Sequence, residues 1–228
     1  MSRPMSPLAH GILTGVVAIG ALLILPSLVR KPAGWPGKLS LWLMNSRHSA
    51  VTDWGLGHVQ IEPAFTMLDV GCGGGRTIDK LATMASAGRV SGIDISSQSV
   101  RVSRKTNARW IAAGRVDVQQ AAVSKLPFTD AQFDLVTAVE THYYWPDPVA
   151  DLREIARVLK PGGRLCLIAE VYKGESFDTL LQPAMKLLGA RYLTVDEHRA
   201  LLAEAGFAEI AIDTNRRKGW ICAVGKKP

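Results

Sequence analysis

The chain has few cysteines, and they lack the spacings that disulfide frameworks or metal sites require. Its 228 residues contain only three, Cys72, Cys166 and Cys222. An odd, scattered set excludes a disulfide scaffold and a zinc-finger type of site. We therefore expect no metal, and reduced thiols in a cytosolic compartment.

Acidic side chains are missing from residues 1–40, which carry Arg3, Arg30, Lys31 and Lys38. The whole chain has a net charge of +7, but the other 23 basic residues face 20 acidic ones, which leaves +3 beyond residue 40. This weak excess excludes the concentrated basic face of a nucleic-acid-binding protein. We expect no nucleic-acid partner.

Charged side chains are also absent from residues 8–29, LAHGILTGVVAIGALLILPSLV. A helix needs about 20 mostly apolar residues to cross a bilayer, so this stretch predicts a single-pass membrane anchor. Arg30 and Lys31 follow it, so we expect the rest of the chain to face the cytoplasm. A cleaved signal peptide and a buried or surface helix are the alternatives. Gly11 and Gly15 form one GxxxG pattern, through which anchors could pair into an oligomer.

Three regions follow from these patterns. Residues 1–34 form the predicted membrane anchor. Residues 35–62 mix tryptophan with lysine and arginine, which is typical of an interfacial segment but equally of a helix that packs on, or caps, the domain. Residues 63–228 form the predicted globular domain.

Short apolar runs alternate with helical patterns beyond residue 65. This alternation predicts an α/β fold of the Rossmann-like, doubly wound kind, with a mostly parallel sheet. The last two strands are joined by a short polar link, which predicts an antiparallel hairpin at the C-terminus. The seven predicted strands are 66–70, 89–95, 116–120, 133–139, 163–170, 208–214 and 219–225, and the main predicted helices are 76–86, 97–113, 148–159 and 194–206.

The glycine loop that follows the first strand, LDVGCGGGRT at 68–77, lacks the spacing of a pyrophosphate site. Arg76 and Ile78 stand where a dinucleotide fingerprint would require glycine, and no Gly-Lys-Ser/Thr sequence is present. The loop instead reads acid-x-G-x-G-x-G, beginning at Asp69. In this form it resembles motif I of the class I S-adenosylmethionine-dependent methyltransferases.

Three further stretches extend this resemblance in the same order along the chain. VSGIDIS at 90–96, LPFTDAQFDLV at 126–136 and ADLREIARVLKPGGRLCLI at 150–168 are similar to later parts of that family's domain. The resemblance covers about residues 64 to 225. It implies S-adenosylmethionine as cofactor and S-adenosylhomocysteine as product.

The resemblance also implies a set of cofactor-binding residues. Asp69 would hold the methionine part, Asp94 would accept hydrogen bonds from the ribose hydroxyls, and Ile95 would pack on the adenine. Ala122 stands where many members have an aspartate that contacts the adenine amino group. The complete expected set is Asp69, Gly71, Gly73, Gly75, Asp94, Ile95, Val123, Ser124 and Val139.

The best candidate for the binding site of the methyl acceptor is AVETHYYWPD at 138–147, after the fourth strand. An Asn/Asp-Pro-Pro-aromatic motif, as in nucleic-acid amino methyltransferases, is missing there. Glu140 or His142 could act as a base, and Tyr144 could orient the acceptor, although these side chains could equally pack the loop. Residues 44–56 and 172–193 are two further candidates for the acceptor pocket.

The sequence thus leaves three functional hypotheses. The first is methyl transfer to a small-molecule or lipid-like acceptor at the membrane surface. The second is methylation of a soluble metabolite or a protein, with the anchor serving only for localisation. The third is a non-catalytic S-adenosylmethionine-binding protein, since a fold alone does not establish an activity.

Overall fold

The computed structural model describes residues 49–174 and 178–228. The predicted span at 8–29 lies outside these residues. Within them, no helix is both long and apolar enough to cross a membrane.

The described chain alternates strands and helices, as the sequence predicts. The strands are β1 (Thr66–Val70), β2 (Arg89–Asp94), β3 (Val116–Gln120), β4 (Phe133–Val139), β5 (Leu159–Ala169), β6 (Ala208–Asn215) and β7 (Trp220–Lys226). The helices are α1 (Ser49–Leu56), α2 (Arg76–Met84), α3 (Ser97–Thr106), α4 (Ala108–Ala112), α5 (Pro148–Val158), α6 (Asp178–Leu187) and α7 (Val195–Glu204), and a 3-10 turn spans His142–Tyr144.

The seven strands form one sheet in the order β3-β2-β1-β4-β5-β7-β6. Strands β1 to β5 are parallel, whereas β7 runs antiparallel to both β5 and β6. The predicted mostly parallel sheet with a C-terminal antiparallel hairpin is confirmed. The strand order reverses between β1 and β4, so the carboxyl ends of these two strands flank the crevice where ligands of open α/β sheets bind.

One predicted helix is divided in two. The pattern at 97–113 predicts a single helix, but α3 ends at Thr106, and the φ of −101° at the next residue, Asn107, departs from helical geometry. The buried Asn107 side chain donates to the carbonyl oxygens of Gly75 and Ser103, each over 2.9 Å. Two hydrogen bonds thus hold the break in place and fasten α3 to the end of the glycine loop.

Helix α1 covers one face of the sheet next to β5 and β7. A Cβ atom on Gly55 would lie 2.5 Å from Ile168 Cδ1, so glycine permits this close approach. Trp54 packs against Trp220 with ring centroids 5.8 Å apart, and Asp53 forms an ion pair with Lys80. These contacts account for Asp53 and Trp54, two residues of the 44–56 candidate segment, as packing and ion-pair residues.

Candidate functional site

The glycine loop takes a backbone path that favours glycine. Gly71, Gly73 and Gly75 have φ angles of 74°, 50° and 81°, in the left-handed region that other residues enter at a cost. Two of the three also lack space for a side chain: a Cβ on Gly71 would lie 2.6 Å from Thr141 Cγ2, and one on Gly75 would lie 2.5 Å from Asn107 Nδ2. Those two glycines are therefore required for packing within the protein itself.

Asp94 is tied to this loop from the end of β2. Its Oδ2 accepts a hydrogen bond from the backbone N–H of Gly73 over 2.9 Å, and its Oδ1 accepts one from Ser96 N–H over 2.8 Å. Burial raises the pKa of the Asp94 carboxyl, and these two backbone hydrogen bonds oppose the shift. Each carboxylate oxygen has a second lone pair, so the group suits a ribose diol.

Asp69 lies deeper, at the end of β1. The side chain is 2% exposed, and Thr137 Oγ1 donates to its Oδ1 over 2.8 Å. The strand register places Asp69 beside Thr137 on β4. Burial raises the pKa of Asp69 to about 7, and Thr137 opposes part of the shift. A cation beside this carboxyl would favour its ionised form.

An apolar face adjoins Asp94 at the same edge of the sheet. Ile95 is 51% exposed, which is unusual for a large apolar side chain directly after a buried strand. Val123 is buried, Ser124 is exposed, and Ala122 pairs with Lys125 in a tight bridge. These residues follow the neighbouring strands β2 and β3, and the exposed Ile95 offers an apolar surface that suits a flat heteroaromatic ring.

The residues expected to bind the cofactor thus fall at one edge of the sheet. Val139 is the last residue of β4 at that same edge, where it is half-buried and packs against the core. S-adenosylmethionine fits these residues by its chemistry. Asp94 suits its ribose hydroxyls, Asp69 suits its cationic amino group, and Ile95 suits its adenine.

Glu140 stands in a strained conformation directly after β4. Its φ of 59° is uncommon for a residue with a side chain, and such strain tends to cluster at functional sites. Its carboxylate accepts hydrogen bonds from the Tyr143 hydroxyl and from the backbone N–H of Glu170. Glu140 thus links the ends of β4 and β5. Burial, together with the negative charge of Glu140, raises the pKa of the Tyr143 phenol well above its ordinary value.

His142 and Tyr144 occupy the 3-10 turn that follows. His142 is buried, and its Nε2 lies 3.0 Å from Nε2 of His198 on α7. Tyr144 is half-buried and meets Tyr143 edge to face, with ring centroids 5.0 Å apart. Burial lowers the pKa of His142 well below its ordinary value, so the imidazole is neutral at neutral pH.

The end of the 172–193 segment fastens onto this turn. Arg191 donates its backbone N–H to Tyr143 O over 2.9 Å and its guanidinium to Pro146 O over 3.1 Å. A small pocket beside them is lined by His142, Arg191 and His198, with apolar walls from Leu167 and other side chains. The candidate acceptor segment therefore does reach the residues that follow β4.

Three neighbours of these residues are not among the site residues predicted from the sequence. Thr137, Thr141 and His198 contact Asp69, Gly71 and His142 respectively. Thr137 carries a usable signal, because it is a polar residue within the otherwise apolar run LVTAV at 135–139. Nothing in the sequence links His198 to His142, since 56 residues separate them.

Comparison with known proteins places the domain. The family profile described as "Methyltransferase domain" matches residues 68–167. An O-methyltransferase of Penicillium expansum is 37% identical over 147 residues, covering 64% of this chain and 53% of the relative. The 27-O-demethylrifamycin SV methyltransferase of Amycolatopsis mediterranei is 33% identical over 186 residues, covering 75% and 65%. The chain thus spans 53 to 65% of the length of these curated relatives.

Solved structures share the fold. A chain of the complex between the Trm112 methyltransferase activator of Haloferax volcanii and a methyltransferase superposes with a TM-score of 0.74 and 23% identity, covering 85% of this chain and 96% of the other. A SAM-dependent methyltransferase from Aquifex aeolicus gives 0.65 and 18%, covering 82% and 97%. At these identities the likeness establishes the fold alone.

Proposed function

Because the chain belongs to the class I S-adenosylmethionine-dependent methyltransferases, we propose that it transfers the methyl group of S-adenosylmethionine to a hydroxyl oxygen of a small-molecule acceptor. The main support is the loop of three glycines with positive φ, one of which is hydrogen-bonded to Asp94. The choice of oxygen follows the relatives, several of which are O-methyltransferases.

The donor would be held by residues at the ends of β1 and β2. Asp94 accepts hydrogen bonds from the ribose hydroxyls, and Asp69 faces the cationic methionine part. Ile95, with the bridge at Ala122 and the adjoining Val123 and Ser124, borders the adenine. The bound donor supplies an electrophilic methyl group, and the protein's main contribution is to hold an acceptor oxygen in line with it.

A hydroxyl acceptor must also lose a proton, which a nearby base can accept. Three groups after β4 are candidates: Glu140, His142 and Tyr144. The carboxylate of Glu140 is held by the Tyr143 hydroxyl and the Glu170 N–H, which join the ends of β4 and β5, and a tyrosine phenol keeps its own proton at neutral pH because its pKa is about 10. We assign the base to neutral His142, whose buried Nδ1 has no hydrogen-bond partner within the described residues, while Glu140 and Tyr144 shape the surface against which the acceptor lies.

Transfer to matched acceptors tests the proposal. The full-length protein is incubated with methyl-labelled S-adenosylmethionine and, separately, catechol, octanol or octylamine. Octanol and octylamine share one alkyl chain and differ in the reacting atom. Label in catechol or octanol, and not in octylamine, is the expected result. Transfer to octylamine alone, or to none of the three, would count against O-methylation.

We also propose that residues 8–29 anchor the chain in a membrane, with the domain on the cytoplasmic side. Support comes from 22 consecutive residues without a charged side chain, followed by Arg30 and Lys31. Such an anchor favours an acceptor that partitions into or near the bilayer, and pairing of two anchors would give an oligomer. The wild-type protein should resist extraction from membranes by alkaline carbonate, whereas Ile19→Arg should release it. Recovery of the wild-type protein in the carbonate supernatant would overturn the proposal.

A further inference from the structure

His142 and His198 form a buried imidazole pair between the turn after β4 and the start of α7. Their Nε2 atoms lie 3.0 Å apart, and the residues are 6% and 3% exposed. Burial lowers the pKa of both rings, and the neighbouring His198 adds to the shift at His142. Both rings are therefore neutral at neutral pH, and each carries a single N–H proton.

The hydrogen bonds determine which nitrogen of each ring carries that proton. His198 Nδ1 lies 2.8 Å from the carbonyl oxygen of Thr194. A carbonyl only accepts, so Nδ1 of His198 is the protonated nitrogen and its Nε2 has the lone pair. The 3.0 Å contact then requires His142 to donate from Nε2. By elimination, the lone pair of His142 is on Nδ1.

That lone pair lacks a partner within the described part of the chain. His142 Nδ1 is fully buried and makes no hydrogen bond there, although a buried polar atom left unsatisfied costs about 1–3 kcal/mol. A ligand that brings a hydroxyl to Nδ1 would recover that cost. The small pocket lined by His142, His198 and Arg191 adjoins this atom's ring.

We propose that His198 is a positioning residue, which fixes His142 in the tautomer whose Nδ1 accepts the acceptor's hydroxyl proton. This rests on the proposed O-methyl transfer. As the acceptor oxygen bonds to the methyl carbon, the carbon–sulfur bond of the donor breaks and its electron pair stays on sulfur. The hydroxyl proton passes to Nδ1 of His142. The resulting imidazolium keeps its Nε2–H hydrogen bond to His198, so the pair needs no rearrangement during the step.

The tautomers can be measured without any acceptor. Long-range ¹H–¹⁵N NMR of the full-length protein at neutral pH distinguishes the two nitrogens of each ring, and signals are assigned with the variants at 142 and 198. We expect a protonated Nε2 in His142 and a protonated Nδ1 in His198. A protonated Nδ1 in His142, or an imidazolium at either position, would overturn the proposal.

Two variants then separate positioning from mere packing. His198→Phe retains an aromatic ring but removes the acceptor for His142 Nε2–H, whereas the amide oxygen of His198→Gln can replace it. The His142 signals should change in the phenylalanine variant and keep the wild-type tautomer in the glutamine variant. An unchanged tautomer with phenylalanine at 198 would contradict the role of His198.

Kinetics with catechol or octanol supply the functional readout. A positioned base contributes a factor of about 10²–10⁴ to kcat. We expect His198→Phe to lose a large part of that factor with KM nearly unchanged, and His198→Gln to stay close to wild type. Equal losses in both variants, or a loss confined to KM, would overturn the positioning role. If neither hydroxyl compound is methylated while the tautomers are as expected, O-methylation fails and the histidine arrangement remains supported.

Discussion

Asn107 closes over Gly75: its Nδ2 donates to the Gly75 carbonyl over 2.9 Å and lies 2.5 Å from where a Cβ of residue 75 would stand. The last glycine of the loop is therefore held by a side chain that lies between α3 and α4. The loop's shape depends on a contact made 32 residues away in sequence, and that shape can be tested by substitution.

Gly75→Ala should destabilise the fold more than Gly114→Ala. Both glycines have positive φ, 81° and 68°, but Gly114 has open space where a Cβ would stand. The shared conformational cost is about 1–2 kcal/mol, and overpacking adds about 1–3 kcal/mol at Gly75 only. Chemical denaturation of both variants measures the difference. Equal losses of unfolding free energy in the two variants would show that Asn107 and its neighbours move aside for the added methyl group without loss of stability.

Ile95→Ala should weaken S-adenosylmethionine binding by about fivefold, since covering its half-exposed apolar surface contributes roughly 1 kcal/mol. Ile111→Ala is the matched control, because Ile111 is also partly exposed, at 37%, but lies on α4. Calorimetric titration of both variants gives the two dissociation constants. A similar loss in the control would mean that Ile95 has no particular part in the donor site.

Asp69 should make the free protein more stable as pH falls from 8 to 5. Its folded pKa of about 7 exceeds the unfolded value of about 3.9, so the folded state binds the extra proton in this window. Stability from this group is greatest below about pH 4 and is lost as pH rises through 7, by on the order of 4 kcal/mol. Measured from pH 8 to 5, the wild type should gain stability relative to Asp69→Asn. A difference that is independent of pH would contradict the shifted pKa.

Glu140 and Tyr143 should be energetically coupled. Glu140→Gln and Tyr143→Phe each remove the charged hydrogen bond between them, so the double variant should lose less unfolding free energy than the sum of the single losses. A hydrogen bond to a charged group contributes about 1.5–3 kcal/mol. A double-mutant cycle by urea denaturation measures the coupling. Strictly additive losses would indicate that the bond does not form.

Much of the fold was predictable because the signals are local. Alternating apolar runs and helical patterns set the order of the elements, and the short link at 216–219 forces the antiparallel hairpin. Asn107 was not predictable in this way. Its break in the helix is stabilised by Gly75, a partner that only the folded chain brings near.

The candidate site likewise contains residues whose positions the sequence predicts and residues whose positions depend on tertiary contacts. Asp69 and Asp94 lie at the carboxyl ends of β1 and β2, so their positions follow from topology. The hydrogen bonds of Glu140 do not, because they depend on a positive φ and on the end of β5. His198 lies on a helix whose first turn reads as an ordinary capping box, and its pairing with His142 arises only from tertiary packing.

The donor site is tested most directly by titrating the full-length protein with S-adenosylhomocysteine in a calorimeter, beside Asp94→Asn and the control Asp117→Asn, an exposed aspartate on β3. We expect binding at one site. We also expect Asp94→Asn to lose at least about tenfold in affinity, since hydrogen bonds to a charged group contribute about 1.5–3 kcal/mol, and the control to bind as the wild type does. Absence of binding at millimolar ligand, or an Asp94→Asn variant that binds as the wild type does, would contradict it.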